Sequence, residues 1–305
     1  MTVINQHEKM SIFKIWMLAA RPKTLPAAAM PVIVGTGIAF GDRAFSLGPA
    51  LAALVGALLI QIGTNLANDV FDFKKGTDTK ERTGPVRVTQ AGLLTPGQVM
   101  TGMWVVFGLA VLVGLYLIAV GGWPILLIGL LSILSGIAYT GGPYPLGYNG
   151  LGDVFVFIFF GPVAVCGTYY VQAGTVNPAG YWAALPVGFL VTAILVVNNL
   201  RDIETDRKAG KKTLAVRLGV RSTQMEYLLL LAMAYAAPLV MWLAGIAALR
   251  IMIVWFSLPL AVPLIKDIFT KKGSPLNETL AGTARLGFIY GLLFSLGYII
   301  DKINY

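Results

Sequence analysis

Hydrophobic positions along this chain come in long unbroken runs. Stretches such as Leu51 to Ile60 and Leu228 to Ala237 are continuously apolar, whereas a membrane β-barrel is built from segments of about ten residues that alternate in polarity. A helix crosses the hydrocarbon core, about 30 Å thick, with roughly 20 apolar residues. Nine such runs are predicted, over 24–41, 48–68, 98–120, 122–139, 153–173, 179–199, 224–245, 247–265 and 280–300. The expected fold is all-α: a single polytopic membrane domain over residues 1–305 with nine transmembrane helices. The first run opens on Arg21, Pro22 and Lys23 with no convincing cleavage site, so it reads as a retained helix and not a removed signal peptide.

Between the runs most connections are short, but residues 69–97 and 201–223 are long and charged. Eight of the fourteen acidic residues lie in or beside these two loops. If the helix continues past Asn65, then Asn65, Asn68, Asp69 and Asp72 fall at i, i+3, i+4 and i+7 and share one face. In the second loop Asn198, Asp202 and Asp206 run at i, i+4 and i+8, with Asn199 beside them. Like charges four residues apart on a helix repel, so each cluster calls for a cation. Carboxylates and Asn amides without His or Cys suit Mg2+, a hard ion that also takes substrate phosphates. Arg82, Arg87, Arg201 and Lys211 stand nearby to hold diphosphate oxygens. A lone Asp-x-x-Asp is most often a solvated loop. Two at equivalent positions, each running back into an apolar helix through Asn, point to function, because intramembrane polar groups are costly without a task. The spacing of 133 residues from Asn65 to Asn198 also suggests a weak internal repeat, with halves of about 1–150 and 151–305.

Composition agrees with a membrane protein: 57% of residues are hydrophobic and 12% charged, outside the range of soluble domains. With the N-terminus inside, nineteen Lys and Arg fall on cytoplasmic segments and only Arg43, Arg250 and Lys302 on outer ones. Cytoplasmic loops keep positive charge, so the formal charge of +9 is a topology signal and not a sign of nucleic-acid binding. The expected location is the cell (inner) membrane, with both charged loops facing the cytoplasm. The single cysteine, Cys166, cannot form an intrachain disulfide, and the single histidine, His7, lies in the N-terminal tail. Without histidine in the core, haem ligation, a zinc site and a Ser-His or Cys-His nucleophile are set aside.

These residues resemble the UbiA superfamily of intramembrane aromatic prenyltransferases. Its first signature, Asn-Asp-x-x-Asp, is present as Asn68-Asp69-Val-Phe-Asp72. Its second, Asp-x-x-x-Asp followed by Gly, basic residues and Thr-Leu-Ala, is present as Asp202 to Asp206 and then Gly210-Lys211-Lys212-Thr213-Leu214-Ala215. The match spans nearly the whole chain. Two features depart from the pattern. The acid that usually follows four residues after the first signature is Gly76 here, with Asp78 two residues later. A Tyr-x-x-x-Lys between the signatures becomes Tyr139-Thr-Gly-Gly-Pro143, without the lysine. The segment from Tyr139 through Tyr148 to Asp153, and Arg21-Pro-Lys-Thr-Leu25, look like the branch acting on 1,4-dihydroxy-2-naphthoate in menaquinone and phylloquinone synthesis.

The resemblance implies nine helices around a central cavity, open to the cytoplasm and sideways to lipid. It implies an isoprenoid diphosphate and 1,4-dihydroxy-2-naphthoate as substrates, and Mg2+ as cofactor. Asn68, Asp69, Asp72, Asp78, Asp202 and Asp206 are the implied metal ligands, and Asp69, Asp72, Asp202, Asp206 and Tyr139 the implied catalytic residues. Asn65, Asn68, Arg82, Arg87, Asn198, Asn199, Lys211, Arg21 and Asp153 are the implied substrate contacts. Aromatic residues Phe71, Phe155, Phe157, Phe159 and Tyr169 are candidates to line the apolar part. On this mechanism the allylic C–O bond ionises, the aromatic ring attacks the carbocation, and the ring carboxylate leaves as carbon dioxide. A cation-coupled transporter is the alternative class, although its ions would sit near the bilayer midplane. Within the superfamily, 4-hydroxybenzoate, homogentisate or a chlorophyllide are the alternative acceptors, and the tail can be polyprenyl or phytyl.

Overall fold

The computed structural model describes residues 10–78 and 83–303, so His7 and Arg82 lie outside the described residues. Among those residues every regular element is helical. In chain order they are α1 (Ile12–Ala20), α2 (Leu25–Gly41), α3 (Leu47–Lys74), α4 (Pro96–Gly121), α5 (Trp123–Ala138), α6 (Gly152–Ile158), α7 (Gly167–Ala173), α8 (Pro178–Lys208), α9 (Leu214–Leu218), α10 (Val220–Leu243), α11 (Leu258–Thr270) and α12 (Leu276–Ile303). A π-helical stretch, Phe159–Cys166, joins α6 and α7 into one rod, and a 3-10 segment, Leu249–Ser257, leads into α11. Eight segments of the described chain are long and apolar enough to cross a membrane. The 16-residue α5 is a shorter ninth, so the nine predicted runs each have a helical counterpart.

Two features differ from the expectation. Helix α1 was not predicted, because its nine residues are too few to span. It is capped by Ser11, whose Oγ accepts from the Lys14 amide at 3.3 Å, and ends on Arg21 in the left-handed region at φ 52°. Helices α3 and α8 run past the expected ends at 68 and 199, to Lys74 and Lys208. Counting apolar residues finds where a helix leaves the bilayer, not where its hydrogen bonding stops. Each stops just before a glycine at positive φ, Gly76 at 69° and Gly210 at 74°, the left-handed position that closes a helix. Both Asn/Asp clusters are thereby held on rigid helix.

Helix α8 is central: 67% of its apolar window is buried, against 17% for α4. Helices α4 and α5 turn Trp104, Leu112, Leu127 and Leu131 outward, an apolar surface that matches lipid tails. The π-helical stretch approaches α8 backbone to backbone, since a Cβ at Gly161 would lie 2.7 Å from the Ala184 carbonyl oxygen and 3.0 Å from Gly188 Cα. Buried apolar side chains form two clusters. One joins α1, α3, α4 and loop residues Val88 and Leu94, and the other joins α2, α8, α10, α11 and α12. Helix α2 thus packs with helices from the far end of the chain.

Candidate active site

A cavity of about 1040 Å3 opens between α3, α4 and α5 on one side and the α6–α7 rod and α8 on the other. That is the upper end of the range for small-molecule pockets. Its depth is lined by apolar residues such as Ile60, Ile118, Ile128 and Val163, and one end carries the charged side chains. Phe155 and Phe159 line it as a stacked pair with centroids 6.1 Å apart. Phe71, Phe157 and Tyr169 do not: Phe157 packs on Phe189 at 5.1 Å, and Tyr169 donates to Asp42 at the far end of the molecule.

At the charged end, Asp72 is 1% exposed and surrounded by donors. Arg87 Nη2 donates to its Oδ2 at 2.5 Å, the Tyr148 hydroxyl donates to Oδ1, and Lys211 Nζ stands 3.4 Å from Oδ1. Arg87 also reaches Asp78, Nε to Oδ2 at 3.1 Å. Burial alone would lower the Arg87 pKa, but the carboxylates of Asp72, Asp78 and Asp69 outweigh it and hold the guanidinium above its ordinary value. On α8, Arg201 donates from Nε and Nη2 to the two oxygens of Asp202 at 2.8 and 2.5 Å, from Nη2 to Asn198 Oδ1 at 2.8 Å and from Nη1 to Asn277 Oδ1 at 2.8 Å. Thr83 Oγ1 also donates to Asp202, at 2.5 Å. Lys211 is 3.7 Å from Asp206 as well as 3.4 Å from Asp72. One ammonium group thus stands between the acids of the two helices.

The face shared by Asn65, Asn68, Asp69 and Asp72 splits in two. At about 100° per residue, Asn68 and Asp69 lie at opposite edges of it, with Asp72 between them. Asn68 and Asp72 line the cavity; Asp69 does not. Its Oδ2 accepts from the Val88 amide at 3.0 Å and its Oδ1 from the Thr89 amide at 3.1 Å, with Arg21 Nη2 3.9 Å away. Asp69 fastens the loop that carries Arg87. Asn68 accepts from Thr140 Oγ1 at 2.9 Å. Asn65 Nδ2 donates to Ala20 O and Thr24 Oγ1, both at 2.9 Å, and so holds the turn on which Arg21 faces the cavity.

Tyr139 lines the cavity, and the glycines after it make room for its ring: a Cβ at Gly147 would lie 2.7 Å from Cε1, and one at Gly152 would lie 2.8 Å from the hydroxyl. Two further expected substrate contacts lie outside the cavity. Asn199 is buried on another side of α8, about 100° round from Asn198. Asp153 is 6% exposed, and both its oxygens lack a hydrogen-bond partner. Arg82 lies outside the described residues.

Several contributors were not singled out from the sequence. The Tyr148 hydroxyl meets Thr77 Oγ1 at 2.8 Å as well as Asp72, and its ring lies under Lys211 at 4.6 Å and Lys75 at 5.1 Å. Burial first, then Asp72, raises the phenol above its ordinary pKa. Lys75 Nζ donates to Thr140 O at 2.8 Å and Gly142 O at 3.1 Å, so an ammonium group reaches the turn that lacks the lysine of Tyr-x-x-x-Lys. Tyr148 sits in the quoted Tyr139 to Asp153 segment, and its flanking glycine was the available signal. Thr83 and Asn277 carry none, because only the tertiary fold joins them to α8.

A deep apolar chamber with facing acids and bases at its mouth suits an amphiphile with an anionic head better than a small solute in transit, and it places this multi-pass membrane protein among intramembrane transferases of lipid groups. The chain belongs to the UbiA prenyltransferase family, whose model matches residues 28–294. It is 37% identical over 305 residues to the 1,4-dihydroxy-2-naphthoate octaprenyltransferase of Escherichia coli strain K12, covering 97% of this chain and 98% of that one. It is 45% identical over 235 residues to the protein of the same name from Mycobacterium tuberculosis strain H37Rv, covering 77% and 80%. Among solved structures, a UbiA homologue from Archaeoglobus fulgidus bound to GPP and Mg2+ shares the fold at a TM-score of 0.67 and 17% identity, over 94% of this chain and 99% of that one.

Proposed function

We propose that this chain transfers a polyprenyl or phytyl group from its diphosphate to 1,4-dihydroxy-2-naphthoate, with loss of the ring carboxylate, at the cytoplasmic end of the bilayer. The observation that carries this reading is Lys211, whose ammonium lies 3.4 Å from Asp72 and 3.7 Å from Asp206. Both acid clusters are then within reach of one anionic headgroup. The naphthoate acceptor rests on the Tyr139 to Asp153 segment and on the relatives that carry it in their names. The orientation rests on the distribution of Lys and Arg.

The donor set fits a hard divalent cation: the oxygens of Asn68, Asp72, Asp202 and Asp206 border the cavity mouth, without His or Cys. No group of three or more acidic, His or Cys side chains converges among the described residues, so the ion would be shared with substrate phosphates, as Mg2+ commonly is. Asp78, committed to Arg87, is the less favoured ligand, and Asp69 is reassigned to loop anchoring. The chemistry a bound Mg2+ would supply is neutralisation of the charge that builds on the departing diphosphate.

Arg87, Arg201 and Lys211 donate to the phosphate oxygens once their bonds to the carboxylates are exchanged. The C–O bond breaks with its electron pair leaving on the diphosphate. The apolar wall keeps water from the allylic cation, and the Tyr139 ring borders the space where it forms. The ring carbon that bears the carboxylate attacks, forming the new C–C bond. Loss of carbon dioxide then returns an electron pair to the ring. Purified protein given a polyprenyl diphosphate, Mg2+ and either 1,4-dihydroxy-2-naphthoate or 4-hydroxybenzoate tests this by product mass. Prenylation of the hydroxybenzoate alone would overturn the acceptor, and full Mg2+-dependent turnover by Asp72→Ala or Asp202→Ala would overturn the site.

A further inference from the structure

Only three basic residues, Arg43, Arg250 and Lys302, fall on the side where positive charge is otherwise excluded. Two of these, from opposite ends of the chain, meet at one place. Arg43 follows α2 and Lys302 lies in the last turn of α12, and together with Phe40, Gly41, Phe45 and Ile303 they border a second cavity of about 320 Å3. The 17 residues of α2 separate it from the Arg21 turn by about 25 Å of helix. It is remote from the prenyl-transfer site.

The backbone there is unusual. Arg43 adopts φ 59°, with its amide on Phe40 O at 3.1 Å and the Ala44 amide on Ala39 O at 2.8 Å. This is the helix-closing position that glycine normally fills, and an arginine held in a left-handed conformation is a strained choice that points to a task. Its guanidinium makes no ion pair among the described residues. The neighbouring acid, Asp42, accepts from Tyr169 at 3.0 Å, Asn177 at 2.7 Å and Tyr298 at 2.9 Å and pairs loosely with Lys302 at 4.0 Å, so one carboxylate stands against two cations. The cavity therefore keeps net positive charge. Its walls are the rings of Phe40 and Phe45, 5.6 Å apart and both exposed, so apolar surface lies directly beside the two cations.

We propose that this cavity binds the headgroup phosphate of an anionic phospholipid, with Arg43 and Lys302 as its donors and the acyl chains along the exposed Leu47 and Leu51 at the start of α3. The test is native mass spectrometry of the full chain in mild detergent with equal phosphatidylglycerol and phosphatidylcholine. Wild type is expected to keep phosphatidylglycerol at least tenfold better than phosphatidylcholine. Arg43→Gly and Lys302→Gln should each lower that retention at least fivefold, and Arg250→Gln, which does not border the cavity, should leave it unchanged. Arg43→Gly is the informative variant, because glycine relieves the left-handed strain. Its melting temperature should hold or rise while lipid retention falls, and its prenyl-transfer activity serves as the folding control. Equal retention of the two lipids, wild-type retention by Arg43→Gly, or an equal loss in Arg250→Gln would overturn the proposal. Displacement of the lipid by millimolar inorganic phosphate would overturn it too, by assigning the site to a free anion.

Discussion

Replacing Asp69 with Asn separates two roles that the Asn-Asp-x-x-Asp spelling runs together. Both carboxylate oxygens of Asp69 are engaged by backbone amides, Val88 at 3.0 Å and Thr89 at 3.1 Å, at a side chain 1% exposed. Hydrogen bonds to a charged acceptor contribute about 1.5–3 kcal/mol each, and an orphaned buried amide costs a similar amount. Asn keeps one acceptor oxygen and presents an NH2 group to the second amide, so Asp69→Asn should lose about 2–3 kcal/mol. Ala leaves both amides unpaired and should lose about 3–5 kcal/mol. At roughly 2 °C per kcal/mol for a chain of this size, the melting temperature should fall by about 5 °C and about 8 °C respectively.

The assay that decides between loop anchor and metal ligand is the Mg2+ dependence, read both as turnover and as the rise in melting temperature that Mg2+ and a non-hydrolysable prenyl diphosphate analogue produce together. Asp72→Asn, at a cavity-lining position, should raise the Mg2+ midpoint at least tenfold by either readout. Asp69→Asn should lower the melting temperature while shifting the Mg2+ midpoint less than threefold, because its side chain faces the 88–89 amides and not the cavity. An unchanged melting temperature with a Mg2+ midpoint moved as far as in Asp72→Asn would refute the argument and restore Asp69 as a ligand.

Substitutions at three further positions probe the same framework. Tyr148→Phe removes the hydroxyl from Asp72 and Thr77 but leaves the ring beneath Lys211 and Lys75; losing about 1–2 kcal/mol of positioning, it should lower kcat/KM for the prenyl diphosphate about 5- to 30-fold, whereas Tyr148→Leu should lower it further, both measured at saturating acceptor. Arg87→Met takes the buried guanidinium away from Asp72 and Asp78, leaving Asp72 with Tyr148 and Lys211, and should destabilise the protein by about 3 kcal/mol in a thermal melt, with added Mg2+ recovering part of the loss. Gly161→Ala drives a methyl group into the Ala184 carbonyl oxygen, 2.7 Å from the ideal Cβ; a cost of about 1–3 kcal/mol should appear as a lower melting temperature with an unchanged Mg2+ midpoint.

What could be read from the chain follows from the range of each interaction. Helix number and placement are legible because the bilayer imposes a length on every apolar run, and all nine runs have helical counterparts. Helix α1 escaped because nine residues satisfy no such rule. The two clusters are legible because their spacing lies within single helices, but spacing alone does not say which edge of a 100° face meets the cavity. That depends on what packs beside the helix: for Asp69 the neighbour is the loop at Val88 and Thr89, and for Asn199 it is the buried side of α8. The same limit hid Tyr148, Thr83 and Asn277, whose roles arise from contacts 76, 119 and 76 residues away along the chain. It also recasts the missing lysine. The turn after α5 carries no ammonium of its own at Pro143, yet it receives Lys75 from the end of α3, so the charge at that turn is set by which helix supplies it and not by a local motif.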